Sequence, residues 1–491
     1  MQSREAYDTK SSLSHYFTER LIKLLLVDLR GLGTVDDGFA GHKKGLETEE
    51  RIEGDNDMTT LSQKARGLFC VLITISIALA TFNPVQAKRM ARMPSKPDTV
   101  VSDAVVLEWN EIAINAILPN GPPFTAARFM TIVQLAVFEA VNSISGKYQP
   151  YLGTVSAPAG ASQEAAAIIA AHNTLVAYFP GQAAALNIRR DNSLAAIPDG
   201  QSKADGIAVG AAASAAMIAN RTNDGSAPPL VYMPTTADPY EWQLTPGCTG
   251  GVFKHWPNLR PFAIETSSQF RAEPPPTLGS GVYAQDYNEV QTYGDLNSPD
   301  RPQDRTDVAK LYAVGPGHWT WNYALLQIAG TRNDDITDTA RTMAVMNMAI
   351  NDAYISGFES KYFYKTWRPV TAIPRGDEDG NKWTAPGLFT PLISTPCFPG
   401  YPSNHGTGSG AARTVLERAY GRFNHSIDVF HPLAPTIVLH YSDLKVITDD
   451  VADARVYGGI HFRFDQDAGE RQGHNVGQYV DNNLLPRSDE K

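Results

Sequence analysis

From Ile336 to Tyr362 the chain carries Met343, Ile350, Tyr354 and Phe358 on one stripe at helical spacing, its longest periodic run. A helix of that length buries one face throughout, so neighbouring elements must pack around it. It delivers Lys361 at its end. Pro369 then stops the helix and holds Arg368, the residue before it, in extended geometry. Shorter runs with the same period cover Ala104–Leu118, Ala126–Ser143, Ser162–Phe179, Thr306–Tyr312 and His318–Ala329. Gln201–Arg221 is a further helix whose Ala and Gly faces suit tight packing. The predicted class is all-α, as two helical bundles or one large one, with a site inside the C-terminal bundle. Short β pieces are compatible with the pattern, but nothing requires a sheet. No internal repeat, heptad run or basic nucleic-acid patch is visible.

Between about Thr222 and Asp304 the chain is rich in Pro, Gly and aromatic residues, and Pro228-Pro and Pro274-Pro-Pro mark loop. So long an irregular segment is expected to wrap the bundle and to roof the site. Near the start, Met58 opens a stretch with Lys64 and Arg66, an apolar run over Leu68–Phe82, and the ending Val85-Gln-Ala87. That pattern predicts a secretory signal at 58–87, preceded by a start-site over-extension at 1–57, and an exported protein. The apolar run is shorter than the roughly 20 residues a membrane span needs, so the mature protein is expected not to span a membrane. The mature chain divides into an N-terminal helical region with its wrapping segment, 88–305, and a catalytic region, 306–485. Cys248 and Cys397 allow one disulfide or two buried thiols.

Three separated stretches carry chemistry: Lys361 through Arg368-Pro369; Pro402-Ser403-Asn404-His405; and Arg455 through His461 with Asp465. They supply two Arg, one Lys, a Ser at a predicted helix start and two His, a set suited to an oxyanion. The formal charge of the whole chain is −10, so this basic cluster is local. The Arg forks match phosphate-like oxygens, and Lys361 adds a movable point charge. Ser403 and Asn404 precede a predicted helix whose first N–H groups bind anions. His461 and Asp465 are read as i and i+4 on one helix, so the carboxylate reaches one ring nitrogen and leaves the other as ligand or nucleophile. Gly458 and Gly459 would weaken that helix, and are read as clearance for another backbone or the anion.

These residues resemble the signature K-x6-R-P, P-S-G-H, S-R-x5-H-x3-D of the vanadium-dependent haloperoxidase and type 2 phosphatidic acid phosphatase superfamily. The likeness extends to Trp256-Pro-Asn-Leu-Arg-Pro-Phe, Gly317-His-Trp, Asn351-Asp-Ala-Tyr and Gly458-Gly-Ile-His-Phe-Arg, and covers roughly residues 105–485. It favours the soluble haloperoxidase-like branch. Asn404 stands where the pattern has Gly, Ala454 where it has Ser, and Phe358 where chloroperoxidases have Trp. Phe398 matches the chloroperoxidase Phe. Phe358, Phe398 and His318 are placed near the halide or substrate entrance.

The resemblance implies a vanadate cofactor with His461 as its ligand and Asp465 orienting that ring. Lys361, Arg368, Ser403, Arg455 and the Asn404 N–H would hold its oxygens, and His405 would act as acid and base. Hydrogen peroxide and halide, with an organic acceptor, are the implied partners, and a homo-oligomer is compatible. The same residues suit a phosphatase without vanadate, in which His461 is the nucleophile and His405 protonates the leaving alcohol. The Asn404 departure motivates a third reading, an oxyanion-binding protein without turnover. His425, His431, His440 and His474 are read as surface or core residues, His172 as buried and hydrogen-bonded, and Lys365 as solvated.

Overall fold

Ser162, Ser280, Asp335, Ser403 and Asp443 each turn a side-chain oxygen onto an amide of the helix that follows, and these caps punctuate the chain. The computed structural model describes residues 100–117, 122–315 and 317–489. The predicted leader and signal, 1–57 and 58–87, lie outside the described residues.

Among the described residues there are 13 α-helices, and the fold is all-α apart from one hairpin. The N-terminal helices are α1 (Ala104–Ile117), α2 (Pro123–Ser145), α3 (Gln163–Tyr178), α4 (Ala183–Ala195) and α5 (Gln201–Asn220). There follow α6 (Gly281–Tyr293), α7 (Gln303–Val314), α8 (Gly317–Ala329), α9 (Ile336–Tyr364), the short α10 (Pro369–Ala372) and α11 (Asn404–Tyr420). Strands β1 (Phe423–Phe430) and β2 (Val438–Asp443) pair antiparallel before α12 (Leu444–Val456) and α13 (Arg463–Asn483).

The long periodic run is α9, and almost all of it is buried. It packs against α2 from the N-terminal helices and against α11 and α13 from the C-terminal ones, so one apolar core runs through both groups. Helix α2 is long and apolar enough to cross a membrane, but 89% of that stretch is buried inside the fold. A smaller cluster, with Tyr283, Tyr287, Trp367, Phe462 and Phe464, packs separately.

The irregular segment from Thr222 to Ser280 runs along α9. Asp352, fully buried on α9, accepts hydrogen bonds from the amides of Phe262, Ala263 and Ile264 at 2.6–2.9 Å. Farther along, Trp242 N–H donates to Lys365 O and Trp367 N–H to Tyr240 O. A Cys248–Cys397 disulfide fastens the segment to the loop that ends in Phe398. Helix α6 was not expected within this stretch, and α4 and α12 were also not foreseen.

Helices α11 and α13 approach closely because small residues face each other. A Cβ on Gly473 would fall 1.9 Å from Thr407 O. This approach brings the first turn of α11 against the start of α13, and Ser403 N–H donates to Asp465 O at 2.8 Å.

Candidate anion site

The predicted catalytic residues stand at element boundaries, where backbone groups are free of helix hydrogen bonds. Lys361 lies in the last turn of α9. Arg368 is extended, with ψ 157°, just before α10, as Pro369 requires. Ser403 is the N-cap of α11, and its Oγ accepts the Gly406 amide at 3.3 Å. Asn404 and His405 are the first two residues of that helix, so their amides have no intrahelical acceptor. Arg455 ends α12.

His461 and Asp465 do meet, but not on one helix. Helix α13 begins at Arg463, with Phe462 as its N-cap, so His461 precedes it and Asp465 sits in its first turn. The two glycines therefore lie in the turn after α12. Gly459 has φ +79°, and a Cβ there would fall 2.3 Å from Gly294 O. The expected clearance is real, and the backbone it admits is that of Gly294.

The Asp465 Oδ2 accepts from His461 Nδ1 at 2.7 Å and from the Phe462 amide at 3.2 Å. With the proton on Nδ1, the Nε2 lone pair faces inward, where Arg368 Nη1 donates to it at 2.8 Å. Arg368 also gives Nε to Phe398 O at 3.0 Å and Nη1 to Ile460 O at 2.8 Å, and its Nη2 is buried without a protein partner. Arg455 gives Nη1 to Tyr312 O at 3.1 Å, and its Nε is likewise unpaired. Neither end of the buried Asn404 amide has a partner. Its Oδ1 lies 2.4 Å from where a Cβ on Gly357 would be, so this Asn needs that Gly.

Lys361 is not the movable charge expected from its type. Its Nζ donates to the carbonyls of Pro399, Gly400 and Pro402 at 3.0, 2.7 and 2.5 Å, which uses all three donors. The Phe398 ring centroid is 5.3 Å from Lys361 Nζ and 5.2 Å from the Arg368 guanidinium carbon. Phe358 and Phe124 close edge-to-face on Phe398, so the cations border an aromatic wall.

The electrostatics are lopsided. Lys361, Arg368 and Arg455 are all at most 4% exposed, and Asp465 is the carboxylate buried among them. Burial lowers Arg455 to about 9 and Arg368 to about 10, and pushes Lys361 well below its usual range. The neighbouring cations lower Lys361 and Arg455 further. Burial and the same cations also hold His461 and His405 well below the ordinary imidazole range. Asp465 is raised by burial, against the pull of Lys361 and Arg368. Buried positive charge in excess, with guanidinium N–H groups unpaired, is a site made for an anion. His405 keeps part of its ring accessible, and no protein group among the described residues hydrogen-bonds it.

Comparison with known proteins agrees with this arrangement. Residues 341–485, which carry every residue of the cluster, match the family model of the VCPO second helical-bundle domain. Vanadium chloroperoxidase of Curvularia inaequalis is 28% identical over 173 residues, covering 26% of this chain and 28% of that protein. Over this C-terminal region the chain belongs to the vanadium haloperoxidase family. Among solved structures, a bacterial vanadium-dependent iodoperoxidase aligns with TM-score 0.67 and 24% identity, over 78% of this chain and 98% of its own. The holo form of a bacterial vanadium-dependent chloroperoxidase aligns with TM-score 0.59 and 17% identity, over 74% and 94%. At these identities the two structures show that the haloperoxidase fold extends through the N-terminal helices as well.

The other histidines divide. His172 is buried and bonded to Asn173 and Asn187; His440, exposed, pairs with Asp428, and His474 bonds Thr414. His318 and His431 are both buried, each with one ring nitrogen unpaired. Two buried carboxylates were not foreseen. Asp286 of α6 accepts the Phe464 amide at 2.7 Å and so steadies the start of α13, while Asp352 fixes the wrapping segment. Their partners are backbone amides, which no side-chain pattern announces.

Proposed function

We propose that the protein is a vanadate-dependent haloperoxidase that oxidises halide with hydrogen peroxide to hypohalous acid. The observation that carries this reading is the His461 Nε2 lone pair, oriented by a buried Asp465 and set among three buried cations. That donor set fits vanadate: one imidazole for the metal, and N–H groups for its oxygens. Arg368 Nη2, Arg455 Nε, the Ser403 hydroxyl and the amides of Asn404 and His405 would hold the oxygens. When bound, vanadate supplies an electrophilic centre that activates peroxide without changing its own oxidation state.

The chain's residues do the rest. Asp465 keeps the His461 proton on Nδ1, so Nε2 remains a donor of electron density. Lys361, clamped by three carbonyls, acts as a fixed charge that favours the anion and does not follow one oxygen. Bringing an oxyanion into the cluster would raise the depressed Arg and Lys values back toward their usual ranges. His405, held neutral by its cationic neighbours and partly accessible, can take a proton from incoming peroxide and return one to the departing oxygen. The aromatic wall of Phe398, Phe358 and Phe124 offers a weakly hydrated approach for a halide.

A phosphatase would use the same lone pair as a nucleophile on phosphorus and the same His405 as acid. The test runs both assays on protein purified without phosphate. Bromide- and peroxide-dependent halogenation of monochlorodimedone is measured with added orthovanadate, beside p-nitrophenyl phosphate hydrolysis without it. Halogenation that requires vanadate and is blocked by phosphate is the expected result. Hydrolysis inhibited by vanadate, without halogenation, would overturn the haloperoxidase reading in favour of a phosphatase.

A further inference from the structure

Behind His405, unsatisfied polar atoms gather at the turn into α8. His318 Nδ1, Thr320 Oγ1, Ser409 Oγ and His431 Nε2 are all buried without a protein partner. They come from α8, α11 and the loop after β1. The glycines of the turn record how closely they converge. Thr320 Oγ1 and the His431 ring lie 3.9 and 4.0 Å from where a Cβ on Gly315 would stand, and Ser409 Oγ lies 4.0 Å from that of Gly317. Orphaned groups at this density call for water, which can bridge several of them at once.

The chain sets the tautomers. The Leu433 amide donates to His431 Nδ1 at 3.2 Å, so neutral His431 carries its proton on Nε2. That N–H has no protein acceptor, and neither has the sealed Nδ1 of His318. A water bridge that takes the His431 proton and donates to His318 Nδ1 satisfies both. His318 then carries its own proton on Nε2, the ring nitrogen that is neither sealed nor bonded to protein. Ser409 of this cluster lies one turn after His405 on α11, which sets the cluster beside that ring, and burial keeps His318 neutral. A neutral N–H beside an excess of buried cations selects an anion.

We propose that His318, its tautomer fixed by His431 through water, donates its Nε2–H to the halide and so positions it beside the oxidising centre. The proposal rests on the haloperoxidase reading and adds a donor to it. Two measurements test it. In steady-state assays, His318→Phe should lower kcat/KM for bromide by about tenfold or more, through KM for bromide, with KM for peroxide little changed. His318→Gln, which keeps an N–H donor, should restore part of the loss, and vanadate affinity by calorimetry should match the wild type in both. Bromide kcat/KM for His318→Phe within about twofold of wild type would overturn the proposal.

The second measurement is independent of turnover. Long-range 1H–15N spectra of the full chain labelled at histidine should show His318 protonated at Nε2, and a mixture of tautomers in His431→Phe. Protonation of His318 at Nδ1 in the wild type would refute the donor. If halogenation is absent while the Nε2–H tautomer is present, the failure belongs to the haloperoxidase reading, and this donor would face a different anion.

Discussion

At His461, a single imidazole joins a buried carboxylate on one side to a guanidinium on the other. His461→Ala should abolish halogenation and weaken vanadate binding by at least about a hundredfold, measured by calorimetry, while leaving the melting temperature near that of wild type. Full activity in that variant would sink the site assignment. Asn404 behaves differently. Its amide is buried with neither end paired, so removing it relieves two unsatisfied groups. Asn404→Gly should keep vanadate affinity within about threefold, and a collapse of affinity would show that the amide donates to the oxyanion. Residue identity announced most of this cluster, because two Arg, a Lys and two His at fixed spacings are hard to explain otherwise. What it could not announce was partnership with backbone. Lys361 spends its donors on three carbonyls, and Arg455 reaches Tyr312 O, groups that every residue owns.

Helices α9 and α11 were legible as elements, since apolar period, caps and Pro369 agree. The start of α13 was not, because Gly458 and Gly459 were read inside a helix that begins only at Arg463; its buried face carries Gly469, Gly473 and Gly477, which make the close contact with α11. The same misreading placed His461 on a helix. Gly459 instead turns the chain in the left-handed region, and Phe462 caps α13 without the usual polar side chain. Gly473→Ala would force a methyl group onto Thr407 O and part α11 from α13. It should cost about 1–3 kcal/mol in chemical denaturation and weaken anion binding, though it touches no anion. Asp352 offers a pH test of the joint between α9 and the wrapping segment. Burial raises its carboxyl to about 6 from the ordinary 3.8, against three amides that favour the ionised form. A folded value above the unfolded one means that its contribution to stability is whole below about 3.8 and is lost as pH rises through about 6. The melting temperature of wild type minus that of Asp352→Asn should therefore fall between about pH 4 and about pH 6 and level off above that. A difference that grows with pH would contradict the assignment.

Across the whole molecule, a chain of formal charge −10 encloses a cationic centre, so its pull on anions comes from burial and not from net charge. The Cys248–Cys397 bridge spans 149 residues and ties the wrapping segment to the loop of Phe398. Replacing both cysteines by serine should lower stability by about 2–5 kcal/mol, read from urea unfolding of the two proteins side by side. The sequence left that pairing open, because only the fold brings the two segments together. The bridge has a further meaning if the proposed activity, with release of hypohalous acid, holds. Both described sulfur atoms that could have been thiols are already oxidised. Met130, Met217, Met343, Met346 and Met348 are at most 1% exposed, which leaves Met233, at 53%, as the accessible thioether among the described residues. The described residues would then offer that acid very little sulfur to attack, and among them oxidation would begin at Met233, beside Gly250 and the bridged loop.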